Sequence, residues 1–558
     1  MRPPRTIARH SRAWAAVVVV VVSGALLAFQ PLGSPWWSGY DYDSVYVGSG
    51  LQLFRGDRSV FYDHPGAPLQ EVLAATFSGA WAVSSPGESR AAKEDWWLRN
   101  LDRTRPYLRV VGSLLYVLSA LIVFWTLAWV LRGAWWGLLG ALLFLGSPDV
   151  VTWASVVKPD PLLAALAVLV VALTVEGFRR RSGGLYLAAA FALGYDVSVK
   201  VQAAGLVVPL VLAVALRPPP AGWWTLFRAE ADAWLRAHRR LLGVVFGVWL
   251  ALFAVLNALA APPAAKPLAE LVALVVALAF VSMVVWLAVR RTRIAAFTAT
   301  AIGSAFAAIA GLVLPNAFYL SVPGPMVRQV AITLTGGGVN AGAHPAVGAW
   351  GVLGPWHLLI LVAAVGLVKS LLDRDLTGVV WASGAAAMGL LAYLRYGEIH
   401  YYTAAIALAV PLVLLALRSV PAFRALVAAF VVAVVLYQPY KAEIDQARSR
   451  GQIADSTVAV NRWVANRLGP HQVALTSLEA SDARYFHLVH FYTPTGPVLD
   501  YRFLPPDTQA AQYIQQHHAR VRYVIGASDE DATAVLRSLG LPGLAHRVSA
   551  PGFVYAVT

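Results

Sequence analysis

Long apolar runs separated by short polar stretches dominate residues 1–439. They predict helices near 14–29, 107–131, 133–148, 161–177, 184–198, 201–216, 241–261, 268–289, 294–314, 354–369, 377–394, 401–417 and 421–438. Several of these runs approach or exceed the ~20 residues a helix needs to cross a bilayer. Three polar stretches are longer than the rest. The loop 30–106 follows the first run, and 315–353 is rich in Gly and Pro. Between 217 and 240, WWTLFRAEADAWLRAHRR has the pattern of an amphipathic helix lying on a membrane surface. Beyond 440 the pattern changes. Helical stretches such as TVAVNRWVANRLG and TQAAQYIQQHHA alternate with β-like runs QVALTS, VRYVIGA and FVYAVT, which predicts a small α/β domain over 440–558.

Composition fixes the class. With 58% hydrophobic and 13% charged residues, the chain reads as a polytopic α-helical membrane protein of about 13 transmembrane helices. It has no cysteine, so disulfides, thiolate metal sites and cysteine nucleophiles are excluded. The net charge of +15 would suit a nucleic-acid partner, but its placement argues otherwise. If the N-terminus is cytoplasmic, the cytoplasmic connections carry Arg2, Arg5, Arg9 and Arg12, then Arg132, Arg179 to Arg181, Arg217 to Arg240, Arg290 to Arg293, Lys369 with Arg374, and Arg418 with Arg424. The opposite short connections carry only Lys158, Lys200, Lys266, Arg328 and Arg395. The basic excess therefore follows topology and anionic lipid, and no nucleic acid is expected. An odd number of crossings puts loop 30–106 and the 440–558 domain outside. No small-x-small cleavage site precedes Gln30 and Pro31, so the first span is expected to be retained. The 38 arginines against 6 lysines fit a GC-rich bacterial source and hence its plasma membrane.

The candidate chemistry gathers on the external side. In GYDYDSVY, Asp41 and Asp43 would point the same way from an extended backbone. Such a pair can act as a general base on a hydroxyl or hold a divalent ion. Alternatively, Asp43 caps a helix beginning at Ser44 and Asp41 is solvated. Further on, LQLFRGDRSVFYDHPGAPLQEVLAATF predicts two short helices framing Asp63, His64 and Pro65, although DHPG is also good turn chemistry. Lys200 interrupts two apolar runs, at a depth where a charge is costly unless used or paired. With Lys158, Arg328 and Arg395 it is a candidate for an anionic ligand, the plain alternative being snorkelling to the interface. Asp196 would pair with Lys200 at helical i,i+4 spacing and so weaken that candidacy. Asp160, in KPD at the outer end of the fourth span, either binds a ligand or caps the helix around Pro161. RYGEIHYY brings Arg395, Glu398, His400, Tyr401 and Tyr402 to the same side, where aromatic belts explain the tyrosines but not the charges.

The order DYDSVY, YDHPGAPLQ and VVKPDPLLAAL, followed by LYLAAAFALGYDVSVKVQAAGLVVPLVLA, resembles the GT-C membrane glycosyltransferases. It is most similar to glycosyltransferase family 39 and its bacterial relatives, the group of the protein O-mannosyltransferases and the lipid A aminoarabinose transferase. The resemblance covers the N-terminal half by motif and the remainder by layout. It implies a sugar donor on polyprenyl phosphate, a hydroxyl acceptor (lipid, glycan or protein), inversion at the sugar and no obligatory cofactor. It also implies an acid of the first external loop as base. Asp43 with the following Tyr46 matches that acidic position, and Asp41 the one before it. The adjacent acidic pair usual there is split by Tyr42, which leaves open which aspartate is the base. Tyr46, Asp63, His64, Lys158, Asp160, Lys200, Arg395, His400 and Tyr401 are then the expected substrate contacts. The rival readings are a transporter or flippase of a lipid-linked sugar, and a non-catalytic membrane protein whose external domain binds a partner. No sequence repeat or pair of interrupted helices favours a transporter. The 440–558 region carries no glycine-rich phosphate loop.

Overall fold

The computed structural model describes most of residues 5–29, 44–56, 67–147, 157–223, 293–313, 356–395 and 402–419, and shorter stretches of 460–557. The expected spans 241–261, 268–289 and 421–438 lie outside the described residues, as does the surface helix predicted after Trp223.

Ten of the apolar runs are helical. They form α1 (Arg5–Phe29), α5 (Leu101–Val130), α6 (Ala134–Leu145), α7 (Asp160–Arg180) and α8 (Gly183–Val199). They continue as α9 (Val207–Leu216), α10 (Arg293–Val313), α11 (Trp356–Leu372), α12 (Thr377–Arg395) and α13 (Thr403–Ser419). The run at 201–216 departs from expectation. Lys200 is extended, with φ −157°, and the chain re-enters helix through a 3-10 turn, Val201–Leu206, before α9. Hydropathy measures depth in the bilayer and carries no information about which helical hydrogen bond is made.

α7 is the axis of the bundle. Sixteen of its residues are buried, including Leu163, Val168, Val171 and Val175, and it packs against α5, α8, α12 and α13. Elsewhere the outward faces are apolar, among them Val18, Val22 and Leu26 of α1, Leu114 and Leu118 of α5, and Leu361, Val365 and Val368 of α11. Exposed apolar stripes of this length suit hydrocarbon, because the helical backbone already satisfies its own polar groups. Small residues set the closest helix pair. A Cβ on Gly194 of α8 would fall 1.8 Å from the Ala308 carbonyl oxygen of α10, and one on Gly311 would fall 2.0 Å from the Phe191 oxygen. In lipid, where apolar burial does not favour one helix over a lipid tail, such backbone approach is a main source of association.

Among the described residues, three helices end on an arginine in left-handed backbone: Arg132 (φ 57°), Arg181 (φ 53°) and Arg374 (φ 58°). Glycine usually takes this place, and a larger residue costs about 1–2 kcal/mol there. A cation at the negative end of the helix dipole offsets part of that cost. All three belong to connections expected to be cytoplasmic.

The loop 30–106 folds on itself. Its helices α2 (Ser44–Arg55), α3 (Ala67–Ser84) and α4 (Arg90–Arg99) enclose a second core of Tyr46, Val47, Leu51, Phe54, Leu69, Leu73, Phe77 and Trp97, completed by Val111, Leu115 and Val157. Arg55 pairs with the buried Glu94 at 3.4 Å. Arg90 donates to the Phe54 carbonyl at 3.0 Å and lies over the Phe54 and Trp81 rings, so the charges here serve to clamp the helices.

The described part of 440–558 contains a five-stranded sheet in the order β2-β1-β3-β5-β4. β1 (Gln472–Thr476) is parallel to β2 (Val498–Asp500) and β3 (Arg520–Gly526), whereas β5 (Phe553–Val557) is antiparallel to β3 and to β4 (Ala545–Arg547). Helix α14 (Asp529–Ser538) follows β3 and packs on it through Ala532 and Leu536. Its Asp529 accepts from the Tyr555 hydroxyl at 3.1 Å and pairs with Arg547.

Candidate functional site

The N-terminal end of α7 and the C-terminal end of α8 meet in a buried ion pair. Lys200 Nζ donates to Asp160 Oδ1 at 2.7 Å, with side chains 4% and 2% exposed. The reason is local. α7 and α8 are joined by a short connection and run in opposite directions, so the first residue of one lies beside the last of the other. Asp160 occupies the first turn of α7, where the helix dipole favours an anion, and Lys200 follows the last residue of α8, where it favours a cation. The expected pairing of Lys200 with Asp196 does not form. An i,i+4 ion pair requires the helix to continue, and at Lys200 the backbone is extended, which turns the ammonium toward α7. Only the backbones of the two residues meet, the Lys200 N–H donating to the Asp196 carbonyl at 2.9 Å.

Asp196 is fully buried, and neither carboxylate oxygen has a hydrogen-bond partner. Gln202, in the 3-10 turn, is buried with both amide atoms likewise unmet. The sequence singled out Asp196 only as a partner for Lys200, and Gln202 not at all.

The core of α2–α4 reaches the same place. Tyr46, at the start of α2, is 3% exposed and shares its core with Val157, three residues before Asp160. The segment following Asp43 and the segment leading into Asp160 are thus held together by packing. Lys158, between Val157 and Asp160, is half-buried. From α3, which packs against α8, Glu71 lies within electrostatic reach of Tyr195. Glu71 is half-buried, and burial pushes its carboxyl up from 4.5 to about 8. It was not singled out from sequence, although a carboxylate within APLQEVLAATF, in an otherwise apolar helix, is a signal in retrospect.

Asp41, Asp43, Asp63, His64, Arg328, Glu398, His400 and Tyr401 lie outside the described residues. So does the expected glycine-rich external loop at Gly336 to Gly338. Arg395 is the last residue of α12, and Met388 and Leu391 of that helix pack near Gly205 of the 3-10 turn. Among the described residues no group of three or more His, Asp or Glu side chains could hold a metal ion.

Fold and site together define a bundle of apolar helices with a charged pair buried where two of them end beside the helices α2–α4. No family model matches the chain, and no curated protein does. Among solved structures it is similar to the Archaeoglobus fulgidus oligosaccharyltransferase in complex with zinc and sulfate, at 14% identity and a TM-score of 0.42 over 97% of this chain and 73% of that one. It is also similar to ArnT from Cupriavidus metallidurans bound to undecaprenyl phosphate, at 15% identity and a TM-score of 0.36 over 97% of each chain. The apo form of that ArnT matches at 15% identity and a TM-score of 0.33 over 98% of each.

Proposed function

We propose that the chain is an integral membrane glycosyltransferase that moves a sugar from a polyprenyl-phosphate donor to a hydroxyl acceptor at the outer face of the plasma membrane, with inversion. The observation that carries this reading is the Lys200–Asp160 pair, a cation buried at the end of a span under a cap whose own chain begins just after Asp43. A charge in that position is costly unless it is used or paired, and an anionic lipid headgroup is a natural second partner for it.

The transfer balances as a single displacement. The acceptor oxygen attacks the anomeric carbon as Asp43, supported by Asp41, takes its proton. The bond from that carbon to the phosphate oxygen breaks on the opposite face, and the electron pair leaves with the polyprenyl phosphate. Attack and departure on opposite faces give inversion. Lys200 meets the charge that gathers on the departing phosphate, and Asp160 holds the ammonium in place until then. Asp63, His64, Lys158, Arg395, His400 and Tyr401 are assigned to donor and acceptor contacts. Asp41 and Asp43 are also the pair that would hold a divalent ion, and the step as written does not require one.

Asp43→Asn in the purified, lipid-reconstituted protein tests the proposal. Transfer from a polyprenyl-phosphate sugar should fall by about 10²–10⁴-fold, the range for loss of a general base, with thermal unfolding unchanged. Undiminished transfer would remove Asp43 from the mechanism. Movement of the donor across the bilayer without transfer would make the protein a flippase instead.

A further inference from the structure

The mechanism uses Lys200 and Asp160 but leaves the two buried groups beside them without a task. Asp196, one turn before Lys200, has two unmet carboxylate oxygens, and Gln202, two residues after it, has an unmet amide nitrogen and oxygen. Asp196 is 0% exposed and Gln202 7%. Buried polar side chains are nearly always hydrogen-bonded, and those that are not call for a specific reason. The neighbouring residues show that an apolar side chain fits this environment: Leu193, Val199, Val201 and Leu206 are all buried.

We propose that Asp196 and Gln202 form a subsite for the hydroxyl groups of a sugar, one helical turn from the phosphate position at Lys200. The inference rests on the reading of a lipid-linked sugar donor given above and assigns the recognition of its sugar. Three observations select a polyol. A carboxyl and a carboxamide are planar groups that between them accept and donate, which suits neighbouring ring hydroxyls. A phosphate would be repelled by Asp196 and belongs with the ammonium. A metal ion would want further carboxylate or imidazole ligands, and no group of three or more exists among the described residues. The Lys200 N–H donates to the Asp196 carbonyl at 2.9 Å, so the two residues are neighbours at the end of α8. The extended backbone at Lys200 completes the division of labour, because a continued helix would have spent Asp196 on neutralising Lys200. α3 packs against α8 and brings Glu71 within electrostatic reach of Tyr195, the residue before Asp196.

The test measures binding of three probes to the full-length protein in lipid nanodiscs: undecaprenyl phosphate and its mannosyl and arabinosyl esters. Wild type should bind at least one ester more tightly than the bare carrier. Asp196→Asn and Gln202→Leu should each lose about tenfold for that ester, the scale of one good hydrogen bond, while affinity for the bare carrier stays unchanged. Thermal unfolding reports whether each variant is folded, and the near-isosteric Asp196→Asn protects the test should Gln202→Leu pack badly. If both folded variants keep the wild-type preference, or if wild type binds ester and bare carrier alike, the subsite is wrong. If wild type binds none of the probes, the reading of a lipid-phosphate donor fails first.

Discussion

Asp160 and Lys200 were both conspicuous in the sequence, since a charge beside a long apolar run must be explained. Their pairing was not legible. It depends on one backbone angle at Lys200, which turns the side chain from its own helix to the next. The energetic consequence is asymmetric. A buried pair contributes little compared with two apolar residues, but removing one partner strands the other. Lys200→Met should therefore lower stability by roughly 3–5 kcal/mol, and adding Asp160→Leu should recover most of the loss. Thermal unfolding of the two variants measures this, and both should be inactive in transfer. Glu71 supplies a second prediction at this scale. Its folded-state value of about 8 lies above the ordinary 4.5, so between those limits the folded chain holds a proton that the unfolded chain has released. Stability from this group is present below 4.5, falls as pH rises, and is fully lost above 8. Glu71→Gln should gain on wild type across that window and run parallel to it on either side, which unfolding curves at a series of pH values would show.

At the scale of elements, the apolar runs located the spans but not their ends or their contacts. α5 begins at Leu101, ahead of the apolar run expected from 107, because helical hydrogen bonding continues through LDRTRPY after the hydrophobic signal has faded. The α8–α10 contact is carried by absence of side chain, a feature hydropathy scores as neutral. Gly303, Ala307 and Gly311 recur every four residues on α10, and Gly194 answers them from α8. Gly194→Val would drive its methyl groups into the Ala308 carbonyl, so the two helices would have to separate. The expected cost is about 1–3 kcal/mol, the usual range for overpacking. Gly79, which has open space where a Cβ would be built, is the control: Gly79→Ala should leave unfolding unchanged or slightly stabilised.

For the molecule as a whole, the arrangement of arginines along the chain predicts which end of each span faces the cytoplasm, while packing gives the direction of one helix relative to another. Contacts between α8 and α10 rise together along both helices, from Leu187 with Gly303 to Gly194 with Ala308 and Tyr195 with Gly311, so the two run parallel. Parallel spans require an odd number of crossings between them, and the sequence places three there, near 201–216, 241–261 and 268–289. The active face assigned to Asp43, Asp160 and Lys200 stands or falls with that orientation. The absence of cysteine makes it directly measurable, because any introduced thiol is the only one in the protein. Glu88, between α3 and α4, and Asp373, between α11 and α12, each have a side chain 54% exposed. Glu88→Cys should react with a membrane-impermeant maleimide in intact cells, and Asp373→Cys only after the membrane is opened. The reverse pattern would put the external cap and the buried ion pair on the cytoplasmic side, where the proposed mechanism has no place.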